Sequence, residues 1–344
     1  MENTVAYLSA PSRFTIGSAS MPAVGEEDLL IEVKHVGICG SDIQVFSKPE
    51  TCMHAPVYPV ILGHECAGVV VGMGAQVQGF SLGDKVAVEP GVPCRRCRYC
   101  LSGHYNLCEK MNFMACYPWE RAALQRYITH PALMCFKLPD NVSTLEGALM
   151  EPFSVGMYAA ARAEAGPDKT AVILGVGCIG LMTLSACKAR GAWPLIAADL
   201  FENRLAMAAE TGADHALNAG DPGFVDKVME LTGRGADLVF ETAGSAATVT
   251  LAQKLVRPGG QIILVGNVAE PVSIRFMELS ERQIDIVSVF RYCNMYPQAI
   301  AAAASKRVDL SGMVSARFPL ERVQEAFEYA LYEKKNVIKA VVEL

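Results

Sequence analysis

Four cysteines, Cys94, Cys97, Cys100 and Cys108, fall within fifteen residues of this 344-residue chain. Their spacing, C-x2-C-x2-C-x7-C, suits a tetrahedral Zn²⁺, because short Cys-x-x-Cys turns present thiolates at about 2.3 Å from the ion. Four thiolates leave no open coordination position, so a zinc bound here is structural. A disulfide pair and an iron–sulfur cluster, which uses similar spacing, are the alternatives. We favour zinc.

A second, scattered set of residues has the types that form a catalytic metal site. "GICGSD" places Cys39 after a predicted strand, "GHE" contains His64 and Glu65, and "MEPFSVG" contains Glu151. One thiolate, one imidazole and one carboxylate hold zinc with a position open for water or substrate. Each residue also has an ordinary interpretation, as a core thiol, a turn histidine or a helix-start residue. Spacing alone does not decide between these interpretations.

A glycine turn predicts a dinucleotide site. "GVGCIG" contains Gly175, Gly177 and Gly180, follows the apolar run "AVIL" and opens a predicted helix. That context suits a pyrophosphate at a helix N-terminus. Asp199 ends the next predicted strand, where its carboxylate accepts from ribose hydroxyls and repels a 2′-phosphate, so we expect NAD rather than NADP. Arg204, one turn on, either flanks the adenine or is an ordinary solvated residue.

The elements that position these residues change in character near residue 150. Before that point, short runs such as "DLLIEVKHVG" alternate apolar and polar residues between Gly, Pro and Asp, which predicts a small antiparallel barrel or sandwich. After it, strands alternate with helices, which predicts βαβ units and a parallel sheet. The tail predicts two amphipathic helices, near 297–306 and 320–333, and a closing strand.

Composition excludes several classes of protein. The chain is 51% hydrophobic and 19% charged, which is enough apolar sequence for a sizeable hydrophobic core. Its formal net charge is -6, and it lacks the basic cluster of a nucleic-acid-binding protein. No apolar run approaches the length of a membrane span. Twelve cysteines without a visible signal peptide predict a cytoplasmic protein in a reducing environment.

These motifs together resemble the zinc-dependent medium-chain alcohol dehydrogenases, essentially from end to end. "LEGALMEPFSVGMYAA" and "VFRYCNMYPQAI" are similar to the polyol branch, the sorbitol and xylitol dehydrogenases. The resemblance implies an α/β protein with a GroES-like β-barrel catalytic domain and a doubly wound Rossmann domain. The implied boundaries are 1–152 for the catalytic domain, with a structural zinc lobe at about 90–112, then 153–290 for the NAD domain and 291–344 for a return to the catalytic domain.

The resemblance also implies roles for individual residues. It places a catalytic zinc on Cys39, His64 and a glutamate, either Glu65 or Glu151, with the other glutamate in contact with water or substrate. Ser41 matches a proton-relay position. The cofactor-contacting positions, besides the three glycines, are Ile179, Asp199, Arg204, Val265, Gly266, Asn267, Val289, Phe290 and Arg291. The substrate-contacting positions are Phe113, Glu151, Arg291 and Tyr292.

The implied reaction interconverts a polyol of the sorbitol, L-iditol or xylitol type and its ketose by hydride transfer to NAD. One catalytic and one structural zinc per chain, and a homotetramer or homodimer, are implied as well. An L-threonine 3-dehydrogenase and a sugar-phosphate dehydrogenase share the framework; Arg121 and Arg126 are the candidate phosphate ligands for the latter. Outside enzymes, the alternative is a non-catalytic NAD- and zinc-binding redox sensor.

Three departures from the sorbitol dehydrogenase pattern leave the polyol open. Val45 stands where a substrate-contacting tyrosine is usual, and Gln44 replaces a common histidine. "ACYPWERAAL", residues 115–124, replaces a segment that usually resembles Thr-Pro-Pro-x-Asp-Gly and borders the active-site cleft in the family. This loop either shapes the substrate pocket or serves subunit packing.

Overall fold

The computed structural model describes residues 2–344, and the chain folds into two units. The first unit joins the chain up to Glu151 with Tyr296–Leu344, and the second is Pro152–Met295. The strands are β1 (Glu2–Ala10), β2 (Arg13–Ser20), β3 (Asp28–Gly37), β4 (Val60–Ile61), β5 (Glu65–Met73), β6 (Lys85–Val88), β7 (Gly91–Val92), β8 (Asn112–Phe113), β9 (Tyr127–Pro131), β10 (Cys135–Lys137), β11 (Ala171–Leu174), β12 (Leu195–Asp199), β13 (His215–Asn218), β14 (Ala236–Glu241), β15 (Val256–Leu264), β16 (Asp285–Ser288), β17 (Val314–Pro319) and β18 (Lys339–Glu343).

The helices are α1 (Gly40–Ser47), α2 (Arg98–Leu101), α3 (Thr144–Arg162), α4 (Cys178–Ala189), α5 (Glu202–Thr211), α6 (Phe224–Thr232), α7 (Ala246–Leu255), α8 (Phe276–Glu281), α9 (Tyr296–Ala304) and α10 (Val323–Tyr332). Among residues 2–344, no helix is both long enough and apolar enough to span a bilayer.

The first unit is built on a seven-stranded sheet in the order β10-β6-β5-β3-β18-β17, with β9 also pairing β3. Its ladders are antiparallel except between β17 and β18, which confirms the predicted antiparallel character of this part of the chain. Side chains along β3 point alternately to the two faces of the sheet, and Leu29, Ile31 and Val33 on one face are completely buried. The last strand, β18, pairs with β3 and therefore brings the C-terminal segment to the end of β3 that leads into α1.

The second unit holds a six-stranded, wholly parallel sheet in the order β13-β12-β11-β14-β15-β16. This is the doubly wound Rossmann order and confirms the predicted strand–helix alternation. The central strand β11, "AVIL", is buried at every residue, as a strand covered on both faces requires. The strand order reverses between β11 and β14, and ligands of such sheets bind beyond the carboxyl ends of the strands at this point.

Candidate active site and metal centres

Three predicted ligands, Cys39, His64 and Glu65, are brought together in the first unit. Their ligand atoms all lie within 4.8 Å of one another. Cys39 follows β3 as the N-cap of α1, and His64 directly precedes β5, whose first residue is Glu65. The β3–β5 ladder sets Glu65 opposite Gly37, where an added Cβ would overlap the Glu65 carboxylate. The glycine therefore allows the carboxylate to lie beside the strand that leads to Cys39.

Asp42 connects two of these ligands. Its side chain is almost completely buried; Oδ2 accepts from the backbone N–H of Cys39 at 3.1 Å, and Oδ1 lies 3.4 Å from His64 Nδ1. Oδ1 also accepts from the backbone N–H of Gly63 at 3.2 Å. With Nδ1 directed at a carboxylate, Nε2 of the imidazole is left for a metal, an arrangement typical of metal-binding histidines. Asp42 stands in the quoted "GICGSD", but sequence reasoning assigned it no role.

The same contacts set the charges of the pair. Burial opposes a charge on His64, but the Asp42 carboxylate and the Cys39 thiol raise its pKa well above the ordinary value. Burial likewise opposes ionisation of Asp42, and the imidazole, with the N–H groups of Cys39 and Gly63, nevertheless lowers the pKa of its carboxyl. Asp42 is thus held as an anion that supports either a protonated imidazole or a metal-bound one.

Lys339 is a second residue of the site that sequence reasoning missed. Its Nζ lies 2.7 Å from Glu65 Oε1 and 2.8 Å from Oε2, and it also donates to the carbonyl of Ile38 at 3.1 Å. Lysine and glutamate are both almost completely buried, at 4% and 1% exposure. No local signal marks Lys339, because it belongs to the closing strand and is 274 residues away from its partner.

Glu151 is buried in α3 but does not belong to the group of ligand atoms that contains Cys39, His64 and Glu65 within the described part of the chain. Its charge raises the pKa values of Cys66 and Glu89, after the larger effect of burial. The predicted pocket residue Phe113 places its ring centroid 5.6 Å from that of His64. Ser41 is exposed in the first turn of α1, next but one to Cys39.

The four cysteines of the opening motif form a second possible metal centre. The Sγ atoms of Cys94, Cys97, Cys100 and Cys108 lie within 4.8 Å of one another, and all are free thiols. The backbone N–H of Cys100 lowers the pKa of Cys97 to about 6, and Cys108 Sγ accepts from the N–H of Cys94 at 3.2 Å. Backbone donors that stabilise thiolates, with four sulfur ligands, fit a closed zinc site.

The glycine turn lies at the carboxyl end of β11 in the second unit. Gly175 has a φ of +89°, and a Cβ on Gly180 would overlap the carbonyl oxygen of Gly175, so both positions require glycine. Asp199 Oδ2 accepts from the N–H of Val176 at 2.9 Å and lies 3.6 Å from Arg204. The predicted acidic residue therefore lies directly beside the turn, which fits a bound dinucleotide.

The other predicted cofactor positions lie at the same edge of that sheet. Ile179 is in the first turn of α4. Val265 and Gly266 follow β15 and both donate to the carbonyl of Glu241, the last residue of β14, and Asn267 comes next along the chain. After β16 come Val289, Phe290, Arg291 and Tyr292. Arg291 has a φ of +51°, and Tyr292 is almost completely buried.

The departures from the sorbitol dehydrogenase pattern fall into two groups. Val45 is buried in the core of the first unit, and Gln44 bonds Thr51 at the surface. In the 115–124 loop, Trp119 packs partly against that core, and the Tyr117 ring lies 4.4 Å from that of His54. The unusual loop is therefore anchored at both of its aromatic residues.

The two candidate phosphate ligands have separate partners. Arg126 lies 3.3 Å from Glu32, and Arg121 donates to the carbonyl of Thr129. These contacts do not bring the two guanidinium groups together around one position that an anion could occupy.

Comparison with known proteins places these sites in a family. The alcohol dehydrogenase GroES-like domain matches residues 25–140, and the zinc-binding dehydrogenase family matches residues 178–305. The uncharacterized zinc-type alcohol dehydrogenase-like protein YdjJ of Escherichia coli K12 is 46% identical over 346 residues, with 100% of this chain and 99% of that protein covered. Sorbitol dehydrogenase of Bacillus subtilis is 40% identical over 331 residues, with 95% and 93% covered.

A solved structure agrees over the whole chain. The crystal structure of ECK1772, described as an oxidoreductase/dehydrogenase of unknown specificity involved in membrane biogenesis from Escherichia coli, superposes with a TM-score of 0.96 at 46% identity. The alignment covers 100% of this chain and 99% of that one.

Proposed function

Because the chain belongs to the zinc-dependent medium-chain alcohol dehydrogenases, we propose that it oxidises a secondary hydroxyl group of a polyol to a ketose, with NAD as hydride acceptor. The observation that carries this proposal is the convergence of Cys39, His64 and Glu65 in one buried set of metal ligands. The similarity to a sorbitol dehydrogenase at 40% identity supports a polyol of the sorbitol, L-iditol or xylitol type.

We assign the catalytic zinc to Cys39, His64 and Glu65, and a contact with bound water or substrate to Glu151. The grouping of the ligand atoms supports this choice between the two glutamates. Lys339 does not exclude Glu65 from the metal, because a carboxylate has about four lone-pair sites on its two oxygens. With three protein ligands, a zinc held here would keep a position for water or substrate.

When bound, the zinc supplies Lewis acidity that stabilises an alkoxide, and NAD supplies the hydride acceptor. The chain's own residues position and deprotonate the substrate. Asp42 orients His64, and the apolar ring of Phe113 lies 5.6 Å from the His64 ring. In the proposed relay, Ser41, exposed beside Cys39, takes up the substrate hydroxyl proton through water as it gives its own hydroxyl proton to solvent. The Glu151 carboxylate is the alternative acceptor.

We assign NAD to the second unit, on Gly175, Gly177, Gly180 and Asp199. A carboxylate at the end of β12, as Asp199 provides, would accept from the ribose hydroxyls of NAD and repel the 2′-phosphate of NADP, so it favours NAD. Ile179, Arg204 and the two segments 265–267 and 289–291 are the proposed flanking contacts. Their location beyond the carboxyl ends of the parallel strands supports this assignment.

The polyol needs polar partners for its remaining hydroxyl groups. In the first unit we assign this role to Glu151, with Phe113 as an apolar neighbour of the metal ligands. In the second unit, Arg291 and Tyr292 are the polyol-contacting positions that the resemblance implies. A site that holds buried hydrogen-bonding groups rejects an alkyl alcohol that leaves them without partners, typically by a large factor. From the polarity of these side chains we therefore expect a preference for a polyol over a simple alcohol.

We assign a second, structural zinc to Cys94, Cys97, Cys100 and Cys108. Metal analysis of the purified protein should give about two zinc ions per chain, one for the closed site and one for the open site. A redox sensor that lacks catalysis needs only the closed site. One zinc per chain with no turnover of any alcohol would favour that alternative.

The direct test is an activity panel. Purified protein, zinc and NAD are mixed with sorbitol, L-iditol, xylitol, L-threonine, a sugar phosphate and ethanol, and NADH absorbance is followed. We expect turnover of one or more polyols and its loss with a strong chelator. Turnover of L-threonine alone, of the phosphorylated sugar alone or of ethanol alone contradicts the polyol assignment. The separate partners of Arg121 and Arg126 weigh against the phosphorylated substrate.

We also propose a homodimer or homotetramer in the cytoplasm. The edge strand β16 and the nearby helix α8 expose Phe276, Met277 and Ile286 at 74%, 69% and 43%. An unpaired edge strand flanked by exposed apolar residues suits pairing with a second copy about a two-fold axis. Light scattering of the purified protein tests this. The thiols of Cys94, Cys97, Cys100 and Cys108, which a zinc site requires in reduced form, suit a reducing compartment.

A further inference from the structure

Glu241 is a completely buried acid at the edge of the parallel sheet where we place the cofactor, and the proposed mechanism does not use it. It is the last residue of β14 in the second unit and is 0% exposed. The ladders set it beside Leu174, which ends β11 just before the glycine turn, and beside Leu264, which ends β15 just before residues 265–267. Glu241 therefore lies between two parts of the proposed NAD site.

The Glu241 side chain holds the turn that follows β14. Its Oε1 accepts from the backbone N–H of Gly244 at 2.8 Å and from the hydroxyl of Thr248, in the first turn of α7, at 2.7 Å. Gly244 has a φ of +71°, and a Cβ on it would lie 3.0 Å from the carbonyl oxygen of Asn267. The turn that Oε1 fixes is therefore packed against one of the proposed cofactor contacts.

The backbone of Glu241 holds the segment 265–267 as well. Its carbonyl oxygen accepts from the N–H groups of Val265 and Gly266, both at 2.9 Å. A Cβ on Gly266 would overlap the backbone nitrogen of Gly244 and would lie 2.7 Å from Glu241 Oε2. The turn, the segment and the carboxylate are thus in close contact with one another.

Thr242 extends this connection to the glycine turn. Its hydroxyl lies 3.0 Å from the carbonyl oxygen of Leu174 and 2.6 Å from that of Gly175, and it donates to them. The Gly175 carbonyl oxygen is also the atom that a Cβ on Gly180 would overlap. Residues 241–244, "ETAG", therefore contact both the glycine turn and the segment 265–267.

The second carboxylate oxygen of Glu241, Oε2, is buried and has no hydrogen-bond partner among residues 2–344. A buried polar atom without a partner carries a free-energy cost, so what this glutamate contributes lies in the two hydrogen bonds of Oε1. We propose that Glu241 is a positioning residue of the dinucleotide site, which holds the turn 242–245 and the segment 265–267 in one arrangement against the glycine turn. This inference rests on the proposed assignment of NAD to this edge of the sheet.

The test is a fluorescence titration of the purified protein with NADH, without substrate, together with a measurement of Tm. E241M supplies an unbranched apolar side chain and leaves the Gly244 N–H and the Thr248 hydroxyl without their acceptor. E241Q keeps Oε1 as the acceptor of both, and T248V removes one of the two donors. The control V239A opens a cavity at a completely buried residue of the same strand and makes no change at the turn.

We expect E241M to weaken NADH binding by about tenfold, which follows if the turn keeps its binding arrangement for only about one tenth of the time. T248V should weaken it by at least about threefold, and E241Q should stay within about twofold of the wild type. V239A should have a lower Tm and an unchanged dissociation constant. A purely structural role predicts instead that affinity falls with Tm, so that V239A binds NADH as weakly as E241M.

Unchanged NADH affinity in E241M overturns the proposal, and so does an E241Q protein that binds as weakly as E241M. If E241M does not fold, T248V and V239A decide: weaker binding in T248V alone supports the proposal, and equal affinities overturn it. Gly180→Ala separates this inference from the one beneath it. If G180A weakens binding and E241M does not, the NAD site stands and the role of Glu241 is wrong; if neither weakens binding, the assignment of NAD to this edge is wrong as well.

Discussion

Lys339 Nζ lies within 2.8 Å of both carboxylate oxygens of Glu65, and the two side chains are almost completely buried. The lysine comes from β18, the last strand, and the glutamate from β5, so the pair joins the C-terminal segment to the proposed zinc site. In the metal-free protein Lys339 is the cation that balances the Glu65 charge. Zinc is the second cation that can do so.

We therefore predict that Lys339→Met destabilises the metal-free protein by about 3–5 kcal/mol, the usual cost of leaving one partner of a buried ion pair alone. The loss should be smaller when zinc is bound, because the metal neutralises Glu65. Urea unfolding with chelator and with zinc measures both values. The control Lys227→Met breaks an exposed pair with Glu230 and should cost less than about 1 kcal/mol. An equally stable metal-free K339M contradicts the prediction.

Asp42→Asn should weaken zinc binding at the catalytic site by about 10–100-fold, because the carboxylate that orients His64 is lost. The cysteine site has no contact with Asp42 in this structure and should keep its metal. Zinc per chain, measured after dialysis against increasing chelator concentrations, should fall from two to one at a lower concentration than in the wild type. The matched control is Asp309→Asn, an aspartate that bonds Ser311 outside both metal centres. Simultaneous loss of both zinc ions would rule out the assigned role.

Replacing a cysteine should have different effects at the open and at the closed metal site. Cys39→Ser should abolish turnover in a folded protein, because one ligand of the open zinc site is gone. Cys97→Ser should lower Tm and should also reduce the zinc content by one ion per chain, because the closed site holds its lobe together. Cys52→Ser, a half-buried thiol outside both sets, is the control. A C97S protein that stays folded but loses its chemistry would mean that the two sites are reversed.

Gly180→Ala should weaken NADH binding by about tenfold or more. The added methyl group overlaps the carbonyl oxygen of Gly175, and overpacking strain of about 1–3 kcal/mol displaces α4 from the glycine turn. Gly223→Ala, in the same unit, is the matched control, since a Cβ there meets no atom within 4 Å. NADH fluorescence titration measures both dissociation constants. Equal effects of the two substitutions would contradict the assignment of the turn to the cofactor.

Asp199→Ala should lower kcat/KM for NAD by about 10–100-fold, the equivalent of a charge-assisted hydrogen bond worth about 1.5–3 kcal/mol. The value for NADP should not fall, because the carboxylate that repels the 2′-phosphate is removed. Asp214→Ala serves as control: its carboxylate accepts from the N–H of Leu195 at the opposite end of β12. The ratio of the two kcat/KM values decides the result, and an unchanged ratio in D199A would refute it.

Local spacing made much of the architecture predictable. The change from alternating strands to strand–helix units near residue 150 predicted an antiparallel sheet and a parallel sheet, and both are present. The glycine turn and Asp199 are neighbours because consecutive parallel strands end at the same edge of a sheet. The four cysteines lie close in space because fifteen residues joined by tight turns keep them within reach of one another.

Residues that act from a distance were not predictable in the same way. Asp42 was visible in its motif, yet only the folded chain shows that its two oxygens bind Cys39 and approach His64. Lys339 was not singled out at all, because its ion pair with Glu65 joins strands that are 274 residues apart. The register of β3 against β5 brings the Glu65 carboxylate to Cys39 and His64, and this group of possible ligand atoms does not include Glu151 among the described residues.

The sequence alone determined the kinds of chemistry available: a closed sulfur site, an open mixed-ligand site and a dinucleotide turn, each set by residue types and short spacings. Tertiary structure decided which carboxylate lies beside Cys39 and His64 and which cation balances that carboxylate. The physical reason is that the position of this carboxylate and of its cation depends on pairing between strands hundreds of residues apart and on the loss of water around charges. A local sequence pattern predicts neither of these.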